Sequence, residues 1–302
     1  MSIKAICTRL LLALLMPIGV HAQAISVMDF SGRTVTLDAP AQRIVALAPH
    51  SVENLFSAGA GEALVGVVSS SDFPEQAGAL PQVGSFNAYS LEAIAAVQPD
   101  LIVMWGSGNG PGTLAKLEVL GIPVFVSEPR KLEDIPRDIR SLGILAGTVE
   151  ESEAQASSLE EALDALRARY SQRAPKKVFY EIWNNPLQTI NGQHLISEVI
   201  SLCGGRNIFD DVATLAPRVN IESVLELAPD AIIASGVKDS RPHWLDDWRR
   251  YPALPAVRAN GLFFVHPDLL ERPTTRILQG ASILCEQLDT LRKPARHEVK
   301  SP

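Results

Sequence analysis

One pattern of apolar and polar positions occurs twice in the chain, at residues 90–106 and again at residues 220–236. In each copy a capping residue, Ser90 or Asn220, precedes apolar residues at helical spacing. A Pro-Asp pair then ends the predicted helix and leads into a short apolar strand. The offset between the copies is constant, since 229 − 99 and 236 − 106 both give 130. The repeat predicts two similar α/β lobes.

Each copy also places one glutamate in the first turn of its predicted helix, Glu92 in the first copy and Glu222 in the second. The helix dipole favours a carboxylate at this position. The simplest interpretation is therefore a pair of solvated carboxylates that only stabilise the helix starts. The matched offset of the two residues adds a second interpretation, in which both mark equivalent points on the two lobes.

The remaining pattern alternates short apolar strands with helical stretches, which predicts parallel sheets with right-handed crossovers. A small strand pair comes first, within residues 26–42. The strands of the first lobe are predicted at 43–47, 64–68, 101–104 and 124–126. The second lobe begins with a strand at 176–183, ends its sheet at 262–265 and closes with a helix at 274–291.

A polar, alanine-rich run without glycine or proline, residues 149–172, separates the two lobes. Thr148 and Glu151 match a capping box at its start. A helix of about 23 residues spans roughly 35 Å, enough to reach from one lobe to the other. We expect such a helix to be a stiff hinge that limits lobe closure. The predicted boundaries are a first lobe at 23–147, a linking helix at 148–173, a second lobe at 174–293 and a frayed tail at 294–302.

The N-terminus has the pattern of a secretory signal peptide. Lys4 and Arg9 precede an apolar run at 10–20, and small residues flank a cleavage site after Ala22. The apolar run is too short to serve as a spanning helix. Residues 1–22 are therefore predicted to be a signal peptide, with a second possible cleavage after Ala24, and the mature protein to be exported and soluble.

Charge and cysteine count narrow the possible partners. Removing Lys4 and Arg9 leaves 25 of the 27 basic residues against 34 acidic ones, a formal charge of −9 (25 − 34). Such an acidic protein is a poor candidate for binding nucleic acid. Two cysteines remain, Cys203 and Cys285, and in an oxidising compartment a single pair predicts a disulfide. Two buried free thiols are the alternative.

The sequence contains no positive sign of catalysis. It has no Gly-x-Ser-x-Gly elbow, phosphate-binding loop or His-Glu-x-x-His motif. Its histidines form no close-spaced pair that would predict a metal site. His50 follows the first strand and could ligate a metal or haem, although a lone histidine is more often structural. The residues alone therefore do not predict an enzyme, and an exported enzyme is kept as the alternative function.

Five segments carry a resemblance to a known family. They are 43–49, 64–74, 91–101, 202–209 and 268–272. On these segments nearly all of the mature chain resembles the periplasmic substrate-binding proteins of ABC importers, in the class whose lobes are joined by one long helix. Within that class it looks most like the cobalamin-binding proteins. Haem and ferric-siderophore binders share the same strand and helix motifs.

The resemblance implies a role for several residues. Glu92 and Glu222 match the two carboxylates that dock into arginine pockets on the membrane permease, and Cys203 and Cys285 match the family disulfide. The ligand would lie in a cleft between the lobes. Its implied contacts are Ser70, Phe86, Trp105, Trp183, Asp268, Leu269, Leu270, Glu271 and Arg272. Core packing is the alternative for Trp105, and a surface salt-bridge cluster is the alternative for the 268–272 segment.

The chain departs from the family pattern at three cleft positions. Ser70, Gln188 and Ala216 stand where the family often has aromatic residues. Trp183, Tyr89 and Trp244 are the candidates to compensate.

The resemblance implies a monomer that captures cobalamin or a related corrinoid as cargo, without a cofactor of its own. It would deliver that cargo to the permease subunits of an ABC transporter. Haem or a ferric siderophore is the alternative ligand, and haem would require an axial ligand such as His50 or a tyrosine.

Overall fold

The computed structural model describes residues 24–236 and 240–293. The predicted signal peptide, 1–22, and the predicted tail, 294–302, lie outside the described residues. Within the described ranges, no helix combines the length and apolar character needed to cross a bilayer.

The strands of the first half are β1 (Ile25–Met28), β2 (Thr34–Leu37), β3 (Ile44–Ala46), β4 (Leu64–Val67), β5 (Gly84–Ser85), β6 (Ala88–Tyr89), β7 (Leu101–Trp105) and β8 (Val124–Ser127). Those of the second half are β9 (Lys176–Glu181), β10 (Trp183–Asn184), β11 (Leu187–Gln188), β12 (Gly205–Asn207), β13 (Ala231–Ala234) and β14 (Leu262–Phe264).

The helices up to the linker are α1 (Pro49–Ser57), α2 (Leu91–Ala96), α3 (Thr113–Glu118), α4 (Asp134–Ala146) and α5 (Val149–Tyr170). Those after it are α6 (Leu195–Leu202), α7 (Ile221–Leu227), α8 (Pro255–Arg258), α9 (Pro267–Leu270) and α10 (Ile277–Thr290).

Two four-stranded parallel sheets confirm the predicted pair of α/β lobes. The first has the order β4-β3-β7-β8 and the second the order β12-β9-β13-β14. In both sheets the strand that comes first in the chain, β3 or β9, lies second in the sheet order. The next strand in the chain, β4 or β12, pairs with one edge of it. The third strand, β7 or β13, pairs with its other edge and is followed by the fourth, β8 or β14. Antiparallel pairs, β1–β2, β5–β6 and β10–β11, stand apart from these sheets. The lobes therefore share one topology.

The repeat extends to individual hydrogen bonds at the two helix starts. The Ser90 hydroxyl accepts from the amide of Ala93 at 3.1 Å, and the Asn220 side-chain carbonyl accepts from the amide of Ser223 at 2.8 Å. Each bond satisfies one of the backbone donors that a helix start leaves unpaired. Both predicted caps are confirmed.

The ends of the same two helices also match. Gln98 and Ala228 both adopt a left-handed conformation with φ of 46° immediately before the Pro-Asp pair. Asp100 accepts a hydrogen bond from the amide of Arg43, directly before β3, and Asp230 accepts one from the amide of Lys177, near the start of β9. The repeated unit is thus anchored to its sheet by the same contact in both lobes.

The linking helix is α5, which is 22 residues long and spans roughly 33 Å. It ends at Tyr170, so it is shorter than the predicted 148–173. The predicted capping box is wrong, because the Thr148 hydroxyl donates to the carbonyl of Ala58 and makes no capping bond. In a capping box the same hydroxyl oxygen would accept a hydrogen bond from the backbone amide of Glu151.

Helix α4 was not predicted, although it packs along α5. Its sequence contains Pro136 in the first turn and Gly143 near the end, and both residues interrupt a helical pattern. The glycine has a packing reason, because a Cβ at Gly143 would lie 2.0 Å from the hydroxyl of Ser152 on α5. The two helices therefore approach too closely for any side chain at this position.

One of the apolar clusters joins the lobes. It runs from the β1–β2 pair and α4 through α5 residues, including Leu159 and Leu163, to α6 and α10. The predicted disulfide is confirmed, and it connects Cys203 at the end of α6 to Cys285 on α10. Both cysteines are fully buried in this core. A continuous core around the hinge is consistent with limited lobe closure, which stays a prediction.

Candidate functional site

Segments that follow β3, β4 and β14 meet at the boundary between the lobes, where Arg272 contacts Glu53 and Asp72. In both sheets the strand order reverses beside the first strand, between β3 and β7 and between β9 and β13. Open α/β sheets bind ligands in the crevice outside the carboxyl ends of their strands at such a point. The loops that follow these strands are therefore the place to look for a site.

The first lobe presents three rings there, from His50, Phe86 and Trp105, which we call the aromatic wall. The imidazole of His50 meets the Trp105 indole edge-on, with ring centroids 5.1 Å apart, and the Phe86 ring lies 6.1 Å from the same indole. Phe86 is 40% exposed and Trp105 is half-buried, whereas His50 is buried. Phe86 and Trp105 thus offer an apolar surface to the crevice.

Asn109 holds the wall together. Its side-chain carbonyl accepts from the amide of Trp105 at 2.6 Å. Its side-chain nitrogen donates to the carbonyls of Leu47, at 2.8 Å, and Phe86, at 2.6 Å. Three separate segments are thereby fixed by one buried amide. The prediction missed Asn109, whose only signal in the sequence is an asparagine within the glycine-rich loop that follows β7.

Gly108 sets the orientation of the indole. A Cβ at this position would lie 1.8 Å from Cε3 of Trp105, so the ring packs directly on the glycine backbone. Any larger residue would displace the ring.

His50 is a neutral residue that supports the wall. Burial lowers the pKa of its imidazole to about 3, and the nearby positive charge of Arg272 contributes to the shift. Its ring lies against Trp105, away from solvent. This arrangement favours a packing role over ligation of a metal or haem.

The second lobe contributes the predicted 268–272 segment, which begins with the short helix α9. Asp268 and Arg272 are only partly buried, but Leu269 and Leu270 are buried in the core. The predicted ligand contact of these two leucine side chains is therefore not supported, and they instead fix the segment to its lobe. Neighbouring positions on a helix face different directions. A prediction that took the segment as a whole therefore also included the two leucines that face the core.

Arg272 reaches from the second lobe to the first. Its Nη1 lies 2.8 Å from Oε1 of Glu53 and 3.0 Å from Oδ1 of Asp72. Its Nη2 is 3.4 Å from the carbonyl of Ser70, and its Nε is 3.1 Å from Oδ1 of Asp268. Two predicted ligand contacts, Ser70 and Arg272, thus meet each other directly.

Arg276 reinforces the same bridge. Its Nη1 lies 3.3 Å from Oε1 of Glu53, and its guanidinium group covers the ring of Phe73 at 4.3 Å. Nearby, the side chain of Asn54 donates to the carbonyl of Pro273 at 3.1 Å. We call Glu53, Asp72, Asp268, Arg272 and Arg276 the ion cluster. The prediction did not include Glu53, Asp72 or Arg276.

Glu271 belongs to a separate contact within the second lobe. Although the residue as a whole is exposed, its carboxyl group accepts from the hydroxyl of Tyr180 at 3.3 Å. The Tyr180 hydroxyl also bonds to Ser235. Partial burial of the carboxyl group raises the pKa of Glu271.

The β10–β11 pair places Trp183 near two positions where an aromatic residue was expected. Trp183 is 41% exposed and lies directly opposite Gln188 across the strands. Gln188 in turn donates to the carbonyl of Ala216 at 3.1 Å. Side chains of directly opposed residues lie on the same face of a strand pair, so the indole of Trp183 covers the face that carries Gln188.

The other two candidates for compensation are engaged elsewhere. Trp244 is buried in the core of the second lobe, so it does not line the crevice. Tyr89 is half-buried, and its hydroxyl hydrogen-bonds to the Thr113 hydroxyl at 3.0 Å. Of the three residues, Trp183 alone keeps a largely exposed ring.

Glu92 and Glu222 are both exposed at the starts of α2 and α7. Hydrogen bonds from its own backbone amide and from the Ser90 hydroxyl lower the pKa of Glu92. Both residues are therefore placed where a partner can reach them.

Residues 24–236 and 240–293 contain no group of three or more histidine, cysteine or acidic side chains that could hold a metal ion. They do contain a cavity of about 450 Å³ away from the aromatic wall, between Leu132, Arg167 on α5 and Glu198 on α6. Its lining has no aromatic side chain and none of the predicted contacts. The cavity is therefore a weaker candidate than the crevice.

Glu181, at the end of β9, supports a prediction on pH dependence. Burial raises the pKa of its carboxyl group to about 8, despite a hydrogen bond from the Trp248 indole at 2.8 Å. From about pH 4.5, the group's ordinary value, to about pH 8 the folded protein keeps a proton that the unfolded chain has lost. The free energy of unfolding should therefore fall as the pH rises, by up to about 1.4 kcal/mol per pH unit.

Glu181→Gln removes this contribution, because glutamine is neutral at every pH and keeps an acceptor for Trp248. Urea unfolding of the wild type and the variant between pH 5 and 9 measures the effect. We expect the unfolding free energy of the variant, minus that of the wild type, to increase with pH up to about pH 8, because only the wild type loses the contribution of the protonated carboxyl group. Parallel profiles would contradict the assigned pKa, and Glu161→Gln, on the exposed face of α5, is the control.

Comparison with known proteins agrees with this architecture. The model of a periplasmic binding protein family matches residues 44–269. A vitamin B12-binding protein of Vibrio campbellii is 36% identical over 254 residues, which are 84% of this chain and 92% of that protein. A vitamin B12-binding protein of Yersinia pestis is 34% identical over 282 residues, which are 93% of this chain and 98% of that protein.

Solved structures of periplasmic binding proteins are also similar to this chain. The crystal structure of the periplasmic vitamin B12-binding protein BtuF of Vibrio cholerae matches with a TM-score of 0.77 and 36% identity, covering 84% of this chain and 99% of that one. The haem-binding protein HutB of Vibrio cholerae matches with a TM-score of 0.72 and 22% identity, covering 82% of this chain and 98% of that one, which indicates a shared fold alone. The chain belongs to the periplasmic binding protein family.

Proposed function

We propose that this protein captures cobalamin or a related corrinoid between its two lobes and delivers it to the permease of an ABC transporter. The observation that carries the proposal is the aromatic wall at the crevice of a chain that is 36% identical to vitamin B12-binding relatives. The corrinoid is cargo, and the protein works without a cofactor and catalyses no reaction. It acts as a monomer in the periplasm, to which residues 1–22 direct it.

The chemistry of the crevice suits such a ligand. A corrin is a wide and mostly apolar disc with amide groups around its edge, so it requires broad apolar surfaces and a few hydrogen-bonding groups. Phe86 and Trp105 supply the apolar surface on the first lobe, and Trp183 supplies a ring on the second. Ser70, Asp268 and Arg272 supply polar groups at the lobe boundary, and Glu271 supplies a carboxyl group within the second lobe.

The same geometry does not favour haem. A haem-binding site needs an axial ligand, and His50 or a tyrosine was the predicted candidate. The hydroxyl of Tyr89 is bonded to that of Thr113 at 3.0 Å. The imidazole of His50 lies buried against Trp105. We therefore expect a corrinoid to bind with its own axial ligands in place.

Parallel calorimetric titrations of the mature protein with cyanocobalamin, haemin and a ferric siderophore test the proposed ligand. We expect one cyanocobalamin to bind per chain, with the other two ligands binding weakly or not at all. Binding of haemin alone, with a shift of its absorption bands, would overturn the corrinoid proposal and leave the family unchanged.

Glu92 and Glu222 are proposed to dock the loaded protein onto the permease. Exposed charges at two fixed points set the orientation and the encounter rate of a complex more than its total affinity. We expect a Glu92→Gln, Glu222→Gln variant to bind cyanocobalamin as tightly as the wild type and to support at least tenfold slower uptake. Uptake of labelled cyanocobalamin into proteoliposomes that contain the cognate permease measures this.

The matched control is a Glu150→Gln, Glu161→Gln variant, which makes the same charge change at two exposed positions on α5. Its uptake should equal that of the wild type. Equal rates for all three proteins would contradict the docking role of Glu92 and Glu222.

A further inference from the structure

The two arginines of the ion cluster have few hydrogen-bond donors left for a ligand. Arg272 uses its Nη1 for Glu53 and Asp72 and its Nε for Asp268, at distances of 2.8, 3.0 and 3.1 Å. The carbonyl of Ser70 lies 3.4 Å from its Nη2. The guanidinium group is thus occupied by protein acceptors from both lobes. A guanidinium that recognises an anionic ligand needs its fork of donors free for the ligand.

Arg276 is occupied in the same way. Glu53 and Asp268 lie 3.3 and 3.7 Å from its terminal nitrogens, and Phe73 covers one face of the group. The five ionisable residues of the cluster therefore comprise three carboxylates and two guanidinium groups. Two histidine rings lie near the cluster. His50 adds no positive charge because it is buried and neutral. His266 lies 4.0 Å from a carboxylate oxygen of Asp268, and its Nδ1 accepts a hydrogen bond from the backbone amide of Asp268 at 3.2 Å.

We infer that the ion cluster selects ligands by charge, because its surplus carboxylate repels a ligand that brings carboxylates of its own to the lobe boundary. This inference rests on the proposed function and narrows its ligand class. A corrin edge carries neutral amides, whose N–H groups hydrogen-bond to carboxylates. Haem carries two propionates and ferric catecholates are anionic, so they meet like charge where they need a free cation.

Asp72 is the residue of the cluster that determines this selectivity most directly. Its side chain is 64% exposed, compared with 2% for Glu53 and 23% for Asp268. It therefore faces the open side of the cluster, and its replacement should disturb the fold least. Asp72→Asn removes one negative charge while it keeps the shape of the side chain and an oxygen that accepts from Arg272.

The sharpest probe is a pair of ligands that differ in one charge. Cyanocobalamin and its isomeric monocarboxylic acids, in which one edge amide is replaced by a carboxylate, have nearly the same shape. For wild-type protein at low salt, we expect the acid whose carboxylate meets the cluster to bind about tenfold more weakly than cyanocobalamin. The difference should shrink as the salt concentration rises.

In the Asp72→Asn variant we expect the ratio of the two affinities, for cyanocobalamin and for this monocarboxylic acid, to fall to about threefold or less. The matched control is Asp164→Asn, because Asp164 is a 73% exposed carboxylate that pairs with Arg167 on the linking helix. For this control, the ratio of the affinity for cyanocobalamin to the affinity for the monocarboxylic acid should equal that of the wild type. Calorimetric titration supplies all of these affinities.

The possible outcomes separate the inference from the function on which it rests. If cyanocobalamin fails to bind the wild type, the proposed function itself is wrong. If cyanocobalamin binds and every monocarboxylic acid binds equally well, at low and at high salt, the charge selectivity alone is overturned. If the monocarboxylic acid binds as weakly relative to cyanocobalamin in Asp72→Asn as in the wild type, Asp72 does not determine the selectivity. The salt dependence of the two wild-type affinities tests the charge of the cluster without any variant.

Discussion

Replacing both Cys203 and Cys285 with alanine is expected to lower the free energy of unfolding by about 2–5 kcal/mol. The bridge closes a loop across a sequence separation of 82 residues and ties the end of α6 to α10. Without it the unfolded chain gains conformational freedom, which is larger for longer loops. Guanidinium unfolding of the wild type and the variant, both followed by circular dichroism, measures the difference.

Reductant provides the control for this prediction. The double variant also loses two buried sulfur atoms, and the cavities that remain cost free energy of their own. Reducing the unfolded wild type and refolding it under reductant removes the bridge but keeps both sulfur atoms. A wild type whose unfolding midpoint is the same with and without reductant would contradict the stabilising role of the disulfide.

Gly108→Ala is expected to weaken corrinoid binding by about tenfold or more while leaving the fold intact. The added methyl group would lie 1.8 Å from the Trp105 indole, so the ring must leave its place in the aromatic wall. A displaced aromatic contact costs about 1–3 kcal/mol of binding free energy. The three nearest atoms all belong to the half-buried Trp105 side chain and none to the backbone, so the thermal midpoint should change little. Titration with cyanocobalamin and thermal unfolding together measure both effects.

Gly78→Ala is the matched control, because nothing lies within 4 Å of a Cβ at that position. A second control combines Gly108→Ala with Trp105→Ala. If Gly108 acts through the indole, the double variant should bind no more weakly than Trp105→Ala alone. Additive losses, or full affinity in Gly108→Ala, would exclude this role of Gly108.

The two-lobe architecture was predictable because its signals are local. A cap, a helical run of apolar residues and a Pro-Asp stop all occur within a few positions, and the second copy repeats them at a fixed offset. The hydrogen bonds of Ser90 and Asn220 agree with that prediction. Local signals failed where a contact between distant segments determines the hydrogen bond of a side chain. Thr148 is the example, because its hydroxyl bonds to the carbonyl of Ala58, after α1.

The ion cluster could not be predicted, because its members are distant in the chain. Arg272 and Glu53 are separated by 219 residues, and only the packing of the lobes brings them together. The sequence motif located the segment that carries Arg272, but it contained no information on which loop of the first lobe faces that segment. Asn109 escaped prediction for a similar reason, since its partners Leu47 and Phe86 lie on other loops.

The central claim is that a corrinoid binds between the aromatic wall and the 268–272 segment. Anomalous diffraction from crystals grown with cyanocobalamin tests it most directly, because the cobalt atom marks the ligand without reference to its shape. We predict one cobalt peak per chain, in the crevice between Trp105 and Arg272. A peak elsewhere, such as the cavity beside Glu198, or crystals without any cobalt peak under saturating ligand would contradict the claim.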